Sequence, residues 1–478
     1  MKNKIIIFIK RNWLVIVSLL ISFLMFYPAL SSFFTHDDFY FLKISKAQNI
    51  SEFAKFFDPL HDPEHIGVYR PLPLRAYYFL GTSVFNLNPL GQRVISFVTF
   101  FINILLVGYL VRVLTKKDNI AGISEFLYAV SVTHFGQLYY IGAYQELLIT
   151  LLTLLSVIFF AKSKILPSFI FFVMGLMCKE TAVVIPGLLG AVYLFQNWGG
   201  KRKPSFKKLL LSLLPFVLLT VVYLYLHFFH LGTIEGDSYV WNFSPTKALN
   251  TTLWYFLWSL NLPEMLVDFV GPGIHLNPNL MKFWSPQIIP IFILFGIEVV
   301  IVVYSLVKSI KSKAEKNLKF VILFSAFWFL ATILPVVFLP LHKFTYYLTL
   351  PLVGVVLIIS TLISMNTKKA VVFGIVWLTL SLFSLKLTIN TNWITQGVGI
   401  SERVFEYFKE YQSEMDGKTI VFIDTKEDED LPWSPTETVK TVISGKNFFD
   451  LFFPNLSDKI SYGGEGEIKI QSRQFLGY

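Results

Sequence analysis

The fold is decided by stretches such as PQIIPIFILFGIEVVIVVYSLVKSIKSKAEKNLKFVILFSAFWFLATILPVVFLP (286–340), in which two apolar runs flank the basic segment KSIKSKAEKNLK (308–319). Each apolar run is close to the roughly 20 residues that an α-helix needs to cross a bilayer. Lysines between two such runs are typical of a short loop on the cytoplasmic side of a membrane. The stretch therefore predicts two membrane-spanning helices joined by a cytoplasmic loop.

The same pattern covers most of the chain. Of its 478 residues, 54% are hydrophobic and only 15% are charged, and the mean hydropathy is +0.59. An ordinary soluble domain has about 25% charged residues. We therefore predict a polytopic α-helical membrane protein whose transmembrane region is 1–390, with eleven helices near 12–31, 92–115, 119–138, 142–161, 165–178, 182–198, 209–229, 286–308, 319–340, 343–364 and 370–389.

The basic residues indicate the orientation of these helices. They cluster before the first predicted helix (Lys2, Lys4, Lys10, Arg11) and after every second one (Lys116, Lys117, Lys162, Lys164, 201–208, 308–319, Lys368, Lys369). With eleven helices all these groups fall on one face, which predicts a cytoplasmic N-terminus and an outer C-terminus. The net charge of +10 is then a topology signal and does not predict nucleic-acid binding. We expect a bacterial inner membrane, with membrane lipids as partners.

Three segments are predicted on the outer face. The first is the long loop 32–91, and the second is 230–285, whose apolar part 249–270 we interpret as interfacial or re-entrant. The third is the tail 391–478, in which acidic residues outnumber basic ones by 15 to 9. Its run KTIVFID (418–424) predicts a β-strand. We therefore predict a small extracytoplasmic α/β domain at the C-terminus.

Ionisable residues gather at the predicted outer plane of the membrane. Adjacent Asp37 and Asp38 follow the first helix, and carboxylates placed this way accept a proton from an alcohol or bind a divalent cation such as Mg²⁺ or Mn²⁺. The alternative is that both are solvated loop residues. His61 and His65 are weak metal candidates, as is Asp38, because their spacing matches no zinc pattern.

The cations at this plane suit a phosphate. Arg70 and Arg75 are either interfacial side chains with their heads in water or partners of a lipid phosphate. Lys179 and Glu180 are adjacent and therefore do not face each other on a helix, so we expect each to contact a different partner.

Four stretches taken in order resemble a known superfamily. They are THDDFYFL (35–42), YRPLPLRAYYFLG (69–81), HFGQLYYIGAYQELL (134–148) and CKETAVVIP (178–186), with a looser fifth, HKFTYYLTLP (342–351). Together they are similar to the GT-C integral-membrane glycosyltransferases, above all the protein O-mannosyltransferase-like enzymes and the O-mannosyltransferases with tetratricopeptide repeats. The chain departs from the pattern at Phe135, Gln137, Tyr144 and His342–Lys343, and its tail shows no tetratricopeptide period.

The resemblance implies a GT-C-like fold and an activity. Such enzymes transfer a sugar, of hexosyl or mannosyl type, from a polyprenyl-phosphate donor to an acceptor hydroxyl of a protein, lipid or glycan at the outer face. By this resemblance Asp37 is the general base, and Asp38 orients the acceptor or a metal. The residues implied in binding the donor phosphate and substrate are Arg70, Arg75, Lys179, Glu180, His134, Glu146, Lys343 and Tyr346.

Three other functions fit the same composition. A lipid-linked glycan polymerase or ligase would use similar donors. A flippase would place polar residues along a path through the membrane. A third alternative is an assembly protein that keeps the GT-C scaffold without catalysis.

Overall fold

The computed structural model describes residues 2–60, 68–197, 205–231, 236, 238–271, 275–311 and 316–477. Within these ranges the chain is mainly helical. The helices are α1 Lys2–Phe26, α2 Asp37–Ile44, α3 Ile50–Lys55, α4 Tyr77–Phe85, α5 Leu90–Thr115, α6 Asp118–Ala129, α7 Phe135–Tyr139, α8 Tyr144–Ala161, α9 Ile165–Leu176, α10 Ile185–Asn197, α11 Phe206–Leu226, α12 Pro245–Ser259, α13 Leu266–Phe269, α14 Pro278–Lys311, α15 Lys316–Val337, α16 Leu352–Ile363, α17 Thr367–Thr391, α18 Trp393–Met415, α19 Pro435–Val442, α20 Lys446–Phe452 and α21 Pro454–Ser457. The strands are β1 Val270–Gly271, β2 His275–Leu276, β3 Ile420–Ile423, β4 Ile460–Tyr462 and β5 Ile468–Gln471.

Seven helical segments in the described part of the chain are long and apolar enough to cross a membrane: Trp13–Ser31, Leu90–Thr115, Ile141–Ala161, Phe206–Leu231, Pro278–Lys311, Lys319–Val337 and Thr367–Thr391. These segments are compatible with a multi-pass integral membrane protein. The most apolar window of Phe206–Leu231 is only 11% buried by protein, so most of that helix presents apolar side chains outward, as contact with lipid requires.

The other four predicted spans coincide with helices of 12 or 13 residues, namely α6, α9, α10 and α16. The predicted limits 119–138 and 343–364 were wrong, because α6 ends at Ala129 and α16 begins only at Leu352. A short 3₁₀ turn that carries polar residues follows α6, and another precedes α16. The count of eleven membrane crossings stays a prediction.

Small and polar side chains join the helices closely. A Cβ atom on Gly354 of α16 would lie 2.6 Å from the carbonyl oxygen of Ser325 in α15, so this crossing requires glycine. Ser124 of α6 hydrogen-bonds Ser360 of α16 across 2.6 Å. Such contacts are effective in membranes, where lipid tails compete with apolar packing but not with hydrogen bonding.

The apolar segment 249–270 forms α12 and α13 and is followed by a short antiparallel pairing of β1 with β2. Trp254, Tyr255 and Trp258 are buried, whereas Leu253 and Phe256 are exposed. Neither helix is among the described helices that are long enough to span a membrane. This amphipathic arrangement agrees with the predicted interfacial position, which stays a prediction.

The C-terminal segment contains a three-stranded parallel sheet in the order β4-β3-β5. Its central strand β3 confirms the strand predicted in KTIVFID. The segment packs on the first loop, since the Phe448 ring meets Phe39 with centroids 5.3 Å apart and Lys43 forms a 2.7 Å ion pair with Asp450. Whether residues 391–478 form a separate domain stays a prediction.

Candidate functional site

The candidate site lies where several helix ends and irregular turns converge. We use the term site end for the end of the helix bundle that carries residues 32–60, 68–89, 130–143, 177–184, 338–351 and α18. Contacts between side chains of these segments, given below, bring them together. The described lysines Lys116, Lys117, Lys162 and Lys164, which are predicted as cytoplasmic, follow the opposite ends of α5 and α8.

Asp38 is fully buried and completely hydrogen-bonded. Its Oδ1 accepts a hydrogen bond from the Tyr78 hydroxyl (2.8 Å) and its Oδ2 accepts one from the Thr35 N–H (3.1 Å). Burial raises the pKa of Asp38 to about 7, against the opposing effects of the Arg93 charge and these hydrogen bonds. Asp38 is therefore held inside the protein wall, with both oxygens occupied.

Asp37 presents its carboxylate to a cleft. Its side chain is exposed to solvent although protein atoms surround it on most sides, as at the floor of a concave surface. The Tyr140 hydroxyl donates a 3.3 Å hydrogen bond to its Oδ2. The surrounding protein raises the pKa of Asp37, and the hydrogen bond from Tyr140 opposes this rise. A carboxylate with a raised pKa and an open face is well suited to accept a proton from a bound hydroxyl.

Arg93, near the start of α5, is a charged residue of the site that sequence reasoning missed. It is 1% exposed, and its guanidinium donates hydrogen bonds to the carbonyl oxygens of Leu138 (2.8 Å) and Phe33 (3.1 Å). Its charge stabilises the Asp38 carboxylate. Arg93 thus links the first loop to α7. The only sequence signal was an arginine inside an apolar run.

Arg70 and Glu180 form a bidentate ion pair. Arg70 Nη2 lies 2.6 Å from Glu180 Oε2, its Nε contacts both carboxylate oxygens, and its Nη1 donates to Gln145 Oε1 at 2.8 Å. The fork of an arginine matches a carboxylate or a phosphate equally well. The first loop therefore already carries a group with phosphate-binding geometry at the site end.

Lys179 pairs with Glu146 at the start of α8, and both side chains are only 5% exposed. The Lys179 ammonium also lies over the Tyr347 ring, 4.3 Å from its centroid. Adjacent Lys179 and Glu180 thus contact different partners, which confirms that prediction. Two charges buried at membrane depth require such partners, since an unpaired one is strongly destabilising.

Aromatic side chains connect the acidic pair to these ion pairs. Tyr239 lies within electrostatic range of Asp37, and also of Arg70, Glu180 and Glu146. Its ring packs on His342 with centroids 4.0 Å apart. Tyr239 therefore lies near both the candidate base and the candidate phosphate ligands, and no sequence motif pointed to it.

Tyr346 is buried in the wall of the site, where its carbonyl accepts a 2.7 Å hydrogen bond from Gln137. His134 is fully buried between the rings of Phe100 and Tyr128, and its Nε2 lies 2.8 Å from the Tyr128 carbonyl oxygen. These are packing environments. They do not bring either side chain to the acidic pair.

The two remaining predicted cations lie toward the margins. Arg75 donates to the Ile44 carbonyl (3.0 Å) and stacks over Phe56, whereas Lys343 is partly buried within electrostatic range of Asp268.

A metal site was predicted only weakly. His61 and His65 lie outside the described residues, and Asp38 uses both oxygens within the protein. In the described part of the chain no group of three or more His, Cys, Asp or Glu side chains is arranged to hold a metal ion.

The pH dependence of protein stability reports whether the Asp38 carboxyl is protonated. Its folded-state pKa of about 7 lies above the roughly 3.9 of an unfolded aspartate. The stability that its protonation provides is complete below the lower value and is lost as pH rises towards 7. We expect the melting temperature of the wild type to fall relative to Asp38→Asn between pH 4 and 7.5, while exposed Asp430→Asn follows the wild type. Parallel curves for wild type and Asp38→Asn would contradict the buried, protonated state.

Comparisons with known proteins do not connect this chain to a family. No protein-family model, no curated protein and no solved structure matches the chain. The resemblance to GT-C glycosyltransferases therefore stays a prediction, and the site rests on its own geometry.

Proposed function

We propose that this protein is a membrane glycosyltransferase that moves a sugar from a polyprenyl-phosphate donor to an acceptor hydroxyl. The observation that carries the proposal is that an exposed carboxylate, Asp37, and the ion pairs of Arg70 and Lys179 all lie around Tyr239 or its neighbours at the site end. A general base and a phosphate ligand are the two groups that such a transfer needs from the protein. The resemblance of the quoted motifs to GT-C enzymes supports the same reaction.

In this proposal Asp37 accepts the acceptor proton while the hydroxyl oxygen attacks the anomeric carbon. The bond from that carbon to the phosphate oxygen breaks, and polyprenyl phosphate leaves. Asp38 does not touch the substrate, because both of its oxygens are hydrogen-bonded within the wall. Its role is to fix the start of α2 and thereby the direction of Asp37. This assigns different tasks to two neighbouring aspartates.

The donor phosphate meets Arg70, with Lys179 nearby and the partly buried Lys343 toward the margin. Since Glu180 occupies the Arg70 fork, the phosphate competes with that carboxylate for the same donors. The apolar, outward-facing surface of α11 provides a route for the prenyl chain from the bilayer. We place the site end at the outer face of a bacterial inner membrane, as the positive-inside rule predicts.

Donor binding tests this arrangement. We expect Glu180→Gln to bind polyprenyl phosphate more tightly than the wild type in nanodiscs, because the Arg70 fork loses a charged competitor. Arg70→Met is expected to weaken binding about tenfold or more, the loss of a charge-assisted bond of about 1.5–3 kcal/mol. The control, Arg112→Met, removes an exposed arginine from the other end of α5. Equal affinities for all four proteins would overturn the assignment of Arg70.

A flippase for a lipid-linked glycan is a second candidate, and one observation favours it. Glu125 of α6 and Glu298 of α14 are buried within the helix bundle, where carboxyl groups are typical of transport pathways. Flipping of a fluorescent prenyl-phosphate sugar in vesicles, undiminished in Asp37→Asn but lost in Glu298→Leu, would favour the transporter over the transferase.

A further inference from the structure

His36, which directly precedes the acidic pair, has an unusual backbone conformation. Its φ is 52° and its ψ is −124°, in a region that residues with a side chain rarely adopt. Such a conformation is strained and persists only where surrounding contacts enforce it. The direction in which Asp37 leaves the chain therefore depends on whatever holds His36.

The contacts that hold His36 come mainly from the C-terminal segment. Its N–H donates a 2.6 Å hydrogen bond to the carbonyl oxygen of Val442, at the end of α19. Its imidazole meets the Trp393 ring edge to face, with centroids 4.9 Å apart. Its Nδ1 lies 2.9 Å from Thr35 Oγ1. Two of these three partners lie more than 350 positions away in the sequence.

Gly397 provides the space for this arrangement. A Cβ atom at Gly397 would lie 2.5 Å from His36 Cε1 and 2.7 Å from Thr35 Oγ1. Both are closer than any normal contact, so an alanine there must displace the side chains of His36 and Thr35. Gly296 in α14 is a matched control, because a Cβ there would meet nothing within 4 Å.

The start of α18 is itself fixed to the site end. Asn392 caps the helix by accepting from the Ile394 N–H, and its amide donates to Glu264 Oε1 at 3.2 Å. Glu264 Oε2 in turn accepts from the N–H and hydroxyl of Thr345, each at 2.6 Å. A continuous set of contacts thus connects the turn that carries Tyr346 to the C-terminal helix that confines His36.

We propose that the C-terminal segment is a positioning element for the acidic pair, with Gly397, Trp393 and the Val442 carbonyl as the groups that hold His36 and so direct Asp37 into the cleft. The assignment of catalysis to Asp37 rests on the proposed function, whereas the conformational coupling does not. None of the three groups touches a substrate; they act through His36.

The test combines hydrogen exchange with transfer measurements on the full-length protein in nanodiscs. In Gly397→Ala we expect amides of the peptide covering 33–44 to exchange about tenfold faster or more, with α14 unchanged. We expect transfer to fall by about 10²-fold, mainly in kcat, as for an ångström-scale misplacement. Gly296→Ala should match the wild type in both measurements.

A second substitution distinguishes positioning from general damage. Trp393→Leu removes the ring that the His36 imidazole contacts and adds no atom near the loop, so we expect exchange at 33–44 to rise as it does in Gly397→Ala. Should Gly397→Ala not fold, Trp393→Leu alone provides the exchange test at 33–44.

Unchanged exchange at 33–44 in Gly397→Ala or in Trp393→Leu would overturn the positioning role. Faster exchange in Gly397→Ala, together with no sugar transfer by the wild type, would instead support positioning and count against the glycosyltransferase. The two failures are therefore distinguishable.

Discussion

We expect Asp37→Asn to lower sugar transfer by about 10²- to 10⁴-fold, the usual contribution of a general base, and to leave donor binding unchanged. The reason is geometric. The Asp37 side chain is exposed in the cleft, and within the described residues Tyr140 is its one hydrogen-bond donor, so its carboxylate is open to an acceptor hydroxyl. An asparagine keeps the shape and the hydrogen bond but cannot accept the proton. Initial transfer rates at saturating donor measure the effect.

The pH profile and two controls make this result specific. Because the surrounding protein raises the pKa of Asp37, wild-type kcat/KM should rise with pH through that pKa as the base ionises. Asp430→Asn, at an exposed position in the tail, should retain wild-type activity. Asp38→Asn should lower activity together with thermal stability, since it alters a buried network. An Asp37→Asn protein with full activity would rule out the assigned base.

Replacing Lys179 with Met destabilises the protein by about 3–5 kcal/mol, because it leaves the Glu146 carboxylate buried without its cation. Both side chains are almost completely buried, so water cannot replace the lost partner. The melting temperature in detergent or nanodiscs measures the loss. The exposed pair Lys409–Glu406 supplies the control, since Lys409→Met should change stability by less than about 1 kcal/mol.

The double variant Lys179→Met/Glu146→Leu separates structure from function. Replacing both partners of a buried ion pair with apolar residues is often neutral or stabilising. We therefore expect the double variant to recover most of the stability but not the donor affinity, because the cation is still missing. A double variant with normal stability and normal donor affinity would show that Lys179 serves the fold alone.

Much of the helical framework could be predicted, because the length of an apolar run can be read directly from the local sequence. The runs containing α14, α15 and α17 stand out in any short window. The limits of α6 and α16 could not be predicted, because apolar residues continue past the point where the helix stops. There, hydrogen bonds from distant residues, such as Gln137 to the Tyr346 carbonyl, determine the backbone.

In the candidate site, too, the residue types could be predicted but the contacts between distant residues could not. Residue type made Asp37, Arg70 and the Lys179–Glu180 pair candidates, since charges at membrane depth are rare. The different environments of Asp37 and Asp38 could not be predicted, because Tyr78 and Tyr140 come from separate parts of the chain. The role of Gly397 was equally hidden, since a glycine in an amphipathic helix gives no indication of a histidine 361 positions earlier.

The central claim is that the cleft beside Asp37 transfers a sugar from a prenyl-linked donor. The most direct test is the rate of sugar transfer from radiolabelled polyprenyl-phosphate sugars by the purified protein in lipid, with and without Mg²⁺ or Mn²⁺, beside Asp37→Asn. We predict turnover for the wild type with at least one donor and acceptor, and a loss of at least about 10²-fold in the variant. Equal turnover in both proteins, or donor that binds to neither, would contradict the account.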